Sequence, residues 1–281
     1  MILRLSLRRP RAFTLIELVV VLAILVILAG GIVAKLDVLQ LRANKGVAAS
    51  DMSSVSRLMQ TYVVANNHYP DGYDSLIDVS TGTPALWTSL DPQLTGLPAA
   101  SGNPTKVVAS TLTANEFRSL NRMGISTLYD VDTTVVATPG FPSDAFTVSR
   151  QISPTVAYGG GSATGPHVAI LNSTLNGAPA PGEGDADAIM QHFYPQTNGT
   201  PPAGTRVVVF GLGPRCTLIG RSGMSLEAPL YANNSDRNAY YGRYLVAFEV
   251  SNGGSRARLL GALGADADRL DEEVVEFYEI Q

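Results

Sequence analysis

A single cysteine, Cys216, stands among the 281 residues. No intrachain disulfide can form, and zinc sites built from several thiolates are excluded. Histidine is almost as scarce. His68, His167 and His192 are scattered and make no spaced metal pair, and His68 falls in a turn-rich stretch that accounts for it. Charged residues make up only 16% of the chain, 20 basic against 24 acidic for a net charge of -4, with no basic stripe after the first 45 residues. Nucleic acid is therefore not an expected partner. The glycine-rich stretches also lack the parts that chemistry would need. "GLGPRC" at 211–216 has no third glycine of a dinucleotide loop, and "GGGSATGP" at 159–166 and "NGTPPAG" at 198–204 have no phosphate-loop lysine. "GRSGMS" at 220–225 does not fit the G-x-S-x-G nucleophile turn. No enzymatic head and no organic cofactor are expected.

What the chain does have is one long apolar run. From Phe13 to Ala34 the only charge is Glu17. As a helix at ~1.5 Å per residue the run would span about 33 Å, close to a hydrocarbon core of ~30 Å. Arg4, Arg8, Arg9 and Arg11 precede it, and Lys35, Arg42 and Lys45 follow it, so the basic flank modestly favours a cytoplasmic amino terminus. Removal of the first twelve residues would change the net charge from -4 to -8. An ordinary secretory signal would need a small-residue cleavage site after the apolar region. Ala29 and Ala34 could end such a signal, but Ile27 and Ile32 stand two places earlier. Glu17 is the oddity, since an acid inside a membrane helix costs on the order of 3 kcal/mol and usually has a partner.

The run "RAFTLIELVVVLAIL" resembles the amino-terminal signature of type IV prepilins and of the pseudopilins of type II secretion. The resemblance implies cleavage by a prepilin peptidase between Ala12 and Phe13, methylation of the new Phe13 amine, and the family's assembly glutamate at Glu17. Ala12 departs from the usual glycine before the cut but keeps a small side chain. The resemblance also supplies the partner that Glu17 needs, the Phe13 amine of its own or a neighbouring chain. Two unit charges ~4 Å apart attract by roughly 4 kcal/mol at an effective dielectric near 20. Gly30 and Gly31 each cost about 1 kcal/mol in a helix interior, and mark either a local break in the helix or close helix packing.

Beyond Lys35, Leu41, Ala48, Met52, Val55, Met59 and Tyr62 recur at helical spacing, which predicts one helix from about residue 14 to 65. "NNHYPDGYDSLID" at 66–78 ends it, with Asn66 and Asn67 as C-cap residues and Pro70 and Gly72 as turn residues. Tyr69 and Pro70 match a pair that pseudopilins often carry after this helix. Residues 79–205, rich in Ser, Thr, Gly, Pro and Ala, suggest long loops or a small inserted lobe. A helix over 114–123 is predicted there from the Thr113 and Glu116 capping box. Strands are predicted over 206–210, 244–250 and 258–263, with "SNGG" at 251–254 as a turn, while "RLDEEVVEFYEI" reads equally as strand or helix.

The expected fold is α+β and pilin-like: a long amino-terminal helix, transmembrane in its first half, packed on a carboxyl-terminal globular domain with an antiparallel β-sheet. Residues 1–12 are the leader, 13–34 the membrane or filament-core helix, 35–65 the amphipathic spine and 66–281 the head. Two acidic groups, Glu183, Asp185 and Asp187, and Asp266, Asp268 and Asp271, are candidate calcium ligands because oxygen-rich loops bind calcium. "GEGDADAIM" is loosely similar to the calcium segment of major pseudopilins, and solvated loop acids are the other reading. The function implied is a filament subunit at the inner membrane, with its amino terminus cytoplasmic and its head periplasmic or extracellular. Its implied partners are copies of itself, other pilins or pseudopilins, prepilin peptidase, the inner-membrane assembly platform and lipid. The alternative is a secreted or membrane-anchored binding protein or hydrolase that uses the amino terminus only as signal or anchor.

Overall fold

In a computed structural model the described residues are 14–80, 84–96, 105–133, 141–152, 167–176, 185–220, 223–232, 236 and 238–279, without the side chains of 31–34, 37 and 185. The chain begins with a 52-residue helix, α1 (Leu15–Asn66). Thr14 caps it: its hydroxyl accepts from the Glu17 amide at 3.3 Å, and its own amide donates to Glu17 Oε2 at 2.8 Å. This reciprocal box satisfies two of the amides that a helix start leaves without partners. Asn67, at φ 59°, closes the other end in the left-handed conformation, and its amide donates to the Val63 carbonyl.

The head is one branched sheet. Its strands are β1 (Tyr73–Asp78), β2 (Ala85–Leu86), β3 (Val107–Thr111), β4 (Thr127–Val131), β5 (Val148–Gln151), β6 (His167–Leu171), β7 (Thr205–Gly211), β8 (Leu245–Ser251) and β9 (Arg258–Leu263). Strand β7 is the branch point. One edge pairs along its whole length with β8, which continues to β9. The other edge pairs with β6 at Val208 and Val209 and then with β1 at Gly211. Strand β6 leads on to β3, and β1 to β4 and β5. All these pairs are antiparallel except β1 with β4. The expected strands at 206–210, 244–250 and 258–263 are the β7–β8–β9 ribbon. The expectation for 79–205 is corrected: this segment supplies β2 to β6, which join the same sheet, rather than only loops or a separate lobe.

The sheet is buried on both faces, which explains why "RVVVFG" and "YLVAFEV" are nearly continuous apolar runs rather than alternating ones. Val208, Phe210, Val246 and Phe248 meet Ala48, Met52, Val55 and Met59 of α1. Val207, Val209, Leu245 and Ala247 face a second cluster with Trp87, Phe146 and residues of α4 (Asp185–Phe193). The helix predicted from the Thr113 and Glu116 box is α3 (Ala114–Asn121), preceded by the single-turn α2 (Pro92–Thr95). The ambiguous carboxyl-terminal segment is a helix, α5 (Leu270–Glu279), lying against α1.

The "GLG" of residues 211–213 has a packing reason. A Cβ on Gly211 would collide with the Tyr241 hydroxyl, and one on Gly213 with the Asp74 carboxyl. Asp74, in β1, is fully buried and accepts from the Tyr241 hydroxyl at 2.7 Å. Burial pushes its carboxyl up to about 8, against the opposing pull of that hydrogen bond and of Arg243 and Arg215. The unfolded chain ionises this group near 3.8, so Asp74 favours folding fully at acid pH. That contribution is lost as pH rises through the window from about 4 to about 8. Asp74→Asn removes the titration. Its melting temperature relative to the natural chain should therefore be higher at about pH 8.5 than at about pH 5. An equal difference at both pH values would contradict this assignment.

Candidate functional site

Two regions carry the residues of interest, the start of α1 and the place where α1 meets α5. At the start, Ala12 and Phe13 lie outside the described residues. Glu17 is exposed, and its carboxylate is held by the amide and hydroxyl of Thr14, both at 2.8 Å. The acid thus has a local role in its own chain, in addition to any role between chains. Past it, the apolar side chains from Leu15 to Leu28 are uncovered on all sides, from 51% exposed at Val20 to 82% at Leu15. A helix apolar all round belongs in an apolar surrounding. Among the described residues, however, no helix is long and apolar enough to cross a membrane. Of the expected span 13–34, Phe13 and the side chains of 31–34 fall outside the described set. Helix α1 runs unbroken through Gly30 and Gly31, and a Cβ on Gly30 would meet nothing within 4 Å.

On the second half of α1, the buried face comprises Lys45, Ala48, Met52, Val55 and Met59. Leu41, expected on this face, is 46% exposed, and Lys45 is buried in continuation of the stripe. The reason is α5, which covers this part of α1 with acids. The Lys45 ammonium lies 3.4 Å from Glu273 and 3.6 Å from Asp268, and forms a third ion pair with Glu276. Burial alone would lower its pKa. Glu276, Glu273 and Asp268 outweigh that effect and hold it above the ordinary lysine value. Lys106, just before β3, donates to Asp268 at 3.0 Å. The Tyr231 hydroxyl touches both Asp266, at 3.0 Å, and Glu273. One hydroxyl has one proton, so two carboxyls around it are best served when one of them is protonated. Burial and the neighbouring Asp268 push Asp266 up to about 7, and burial raises Glu273 as well, so the proton belongs to the pair.

The structure treats the two expected acidic groups differently. Glu183 and the Asp185 side chain lie outside the described residues, and Asp187 is a half-buried residue of α4. Asp266 and Asp268 do come together, but with Glu273 rather than with Asp271, which instead faces His192 at 3.2 Å and Arg269 at 3.4 Å. Calcium takes six to eight oxygens at about 2.3–2.6 Å. Here the same oxygens already hold two ammonium groups, so this donor set does not fit the ion as it stands. Cys216 is buried, and burial pushes its thiol well above the ordinary range, so it is a core residue and not a nucleophile.

Comparison with known proteins bears on the first region. The model of a family described as "Prokaryotic N-terminal methylation motif" matches residues 7–33. The chain therefore begins with an N-terminal methylation motif. Type II secretion system core protein G of Aeromonas hydrophila is 36% identical over 80 residues, covering 27% of this chain and 56% of that protein. The protein of the same name from Escherichia coli (strain K12) is 34% identical over 79 residues, covering 27% and 54%. The Type IV wide pilus major component PilA4 of Thermus thermophilus is 34% identical over 79 residues, covering 28% and 60%. The chain thus spans somewhat over half the length of the curated relatives it matches. No solved structure matches it.

The matched stretch contains Glu17, Gly30 and Gly31, which stand out by their residue types, and Ala12 and Phe13, which only the resemblance to prepilins marked. What sequence reasoning missed lies outside the motif: Lys45, Lys106, Tyr231 and Glu273. One signal was available, because Lys45 precedes Ala48 by three residues and so falls on the same helical stripe. Its partners are more than 200 residues away in sequence and leave no local trace.

Proposed function

We propose that this chain is a structural subunit of a type II secretion pseudopilus or a type IV pilus-like filament. The observation that carries the reading is a 52-residue helix, begun by a methylation motif, that exposes apolar side chains on every side from Leu15 to Leu28. Such a surface needs lipid first and neighbouring helices later. In this reading the chain sits in the inner membrane through residues 13–34, with its amino terminus cytoplasmic and its head outside. Prepilin peptidase cuts between Ala12 and Phe13, and Phe13 is methylated. Glu17 then leaves its contacts with Thr14 to pair with the Phe13 amine of a neighbour, which sets the register of each incoming subunit. The Gly30 and Gly31 pair is where the helix yields when subunits pack. The Tyr69 and Pro70 pair favours the secretion pseudopilus, while the relatives include both core protein G and the pilus component PilA4 at similar identity.

Assembly tests the reading. The chain is co-expressed with a prepilin peptidase, an assembly ATPase and an inner-membrane platform of a type II secretion system. Sheared, sedimenting filaments that contain it are expected. A processed chain that stays dispersed in the membrane beside an active machine would oppose the proposal.

A further inference from the structure

We infer that Lys45 and Lys106 act as built-in cations at the carboxyl-terminal acidic turn, in the place a calcium ion would take, and lock α5 to the spine without metal. The first support is geometric. Asp266, Asp268 and Glu273 offer oxygens within 4.8 Å of one another, a spacing suited to one shared cation. The Lys45 ammonium approaches Asp268 and Glu273 and pairs with Glu276, while Lys106 takes the other oxygen of Asp268. A metal could enter only after Lys45 left.

The second support is charge. Lys45 and Lys106 supply two positive charges, and Asp268 and Glu273 supply two negative ones. Asp266 shares the Tyr231 hydroxyl with Glu273, an arrangement that calls for a proton on one of the two carboxyls. Glu276 is 38% exposed. The two ammonium groups thus already occupy the positions of positive charge among these carboxylates, and a divalent ion would have to displace them or add its charges beside theirs.

The third support is connectivity. A metal held by these carboxylates would join the turn after β9 to α5 alone. The lysines carry the link further, Lys45 to α1 and Lys106 to the start of β3. Helix α5 is thereby fixed to the spine at Lys45, next to Gly46, whose missing Cβ lets Phe277 pack close. The inference does not depend on the filament reading, since melting of the dispersed chain involves no assembly.

The test is thermal unfolding of the full chain in detergent, with millimolar calcium and with a chelator. The natural chain should hold its midpoint within about 1 °C under both conditions. Lys45→Met should lower the midpoint by about 10 °C, because it leaves buried carboxylates without their partner. Lys45→Arg, which keeps the charge, should recover much of that loss. A natural chain stabilised by calcium or destabilised by the chelator would overturn the inference, and this arm needs no variant to fold. A Lys45→Met chain that melts with the natural one would overturn it equally.

Discussion

Glu17→Ala should reduce assembly of the processed subunit by tenfold or more. The proposed pair between Glu17 and a neighbour's Phe13 amine would be worth up to roughly 4 kcal/mol before desolvation is subtracted. A net of ~1.4 kcal/mol already corresponds to a factor of ten. The structure adds a complication, because Glu17 also completes the capping box with Thr14. Loss of that box costs about 1 kcal/mol in the single chain, so Glu17→Ala alone cannot separate capping from assembly. Glu17→Gln can. Glutamine serves in a capping box as glutamate does but carries no charge. Helix formation should survive Glu17→Gln while filament yield, measured by shearing and sedimentation, falls as it does for alanine. Normal filament yield from Glu17→Gln would mean that the charge pair does not set the register.

Asp130→Ala should cost about 3–5 kcal/mol of stability, the largest loss expected from a single change within the head. Arg150 donates to Asp130 from Nε at 2.5 Å and from Nη2 at 2.7 Å, and both side chains are buried. The Ser75 hydroxyl adds a third bond to Asp130 at 2.5 Å, and Arg150 reaches the His167 carbonyl at 3.1 Å. One ion pair thus joins β1, β4, β5 and β6, the last three of which come from residues 79–205. Removing the carboxylate leaves the guanidinium buried with its main partner gone. The midpoint should drop by roughly 6–15 °C. A double change, Asp130→Leu with Arg150→Met, should recover much of the loss, because neither charge then remains. Equal melting of Asp130→Ala and the natural chain would show that water or a rearranged loop solvates Arg150.

The elements legible from sequence were those whose cause is local. Helix α1 was expected over 14–65 and runs from Leu15 to Asn66, because a cap, a periodic stripe and an asparagine stop all lie in one continuous segment. The same holds for α3, where Thr113 and Glu116 form the box expected of them. Strands β7 and β8 were visible as concentrated runs of β-branched and aromatic residues, and β9 as a short aliphatic run that follows the "SNGG" turn. Strands β3 to β6 were not. They are short and set among small polar residues, and β3 finds its partner β6 and β4 its partner β1 only across roughly 50 to 60 residues, so no single window holds their pattern. The carboxyl-terminal segment was ambiguous because its acids suit a helix start while its valines and aromatics suit a strand. Contact with α1, and Lys45 on that helix, resolves it in favour of α5.

The candidate sites divide in the same way. Ala12, Phe13 and Glu17 belong to a linear motif, and linear motifs can be read. The acidic turn could be read only in part. Asp266 and Asp268 were marked, but their cations come from α1 and from the residue before β3, and only folding brings those together. Along the sequence these acids read either as calcium ligands or as solvated loop acids, whereas in space Lys45 and Lys106 lie among them.

The most direct test of the central claim is the intact mass of the chain extracted from membranes of cells that carry a prepilin peptidase. A chain that begins at Phe13 and bears one methyl group on its amine is the result expected of a filament subunit. A chain that begins at Met1, or near Gly30 or Lys35, would contradict it.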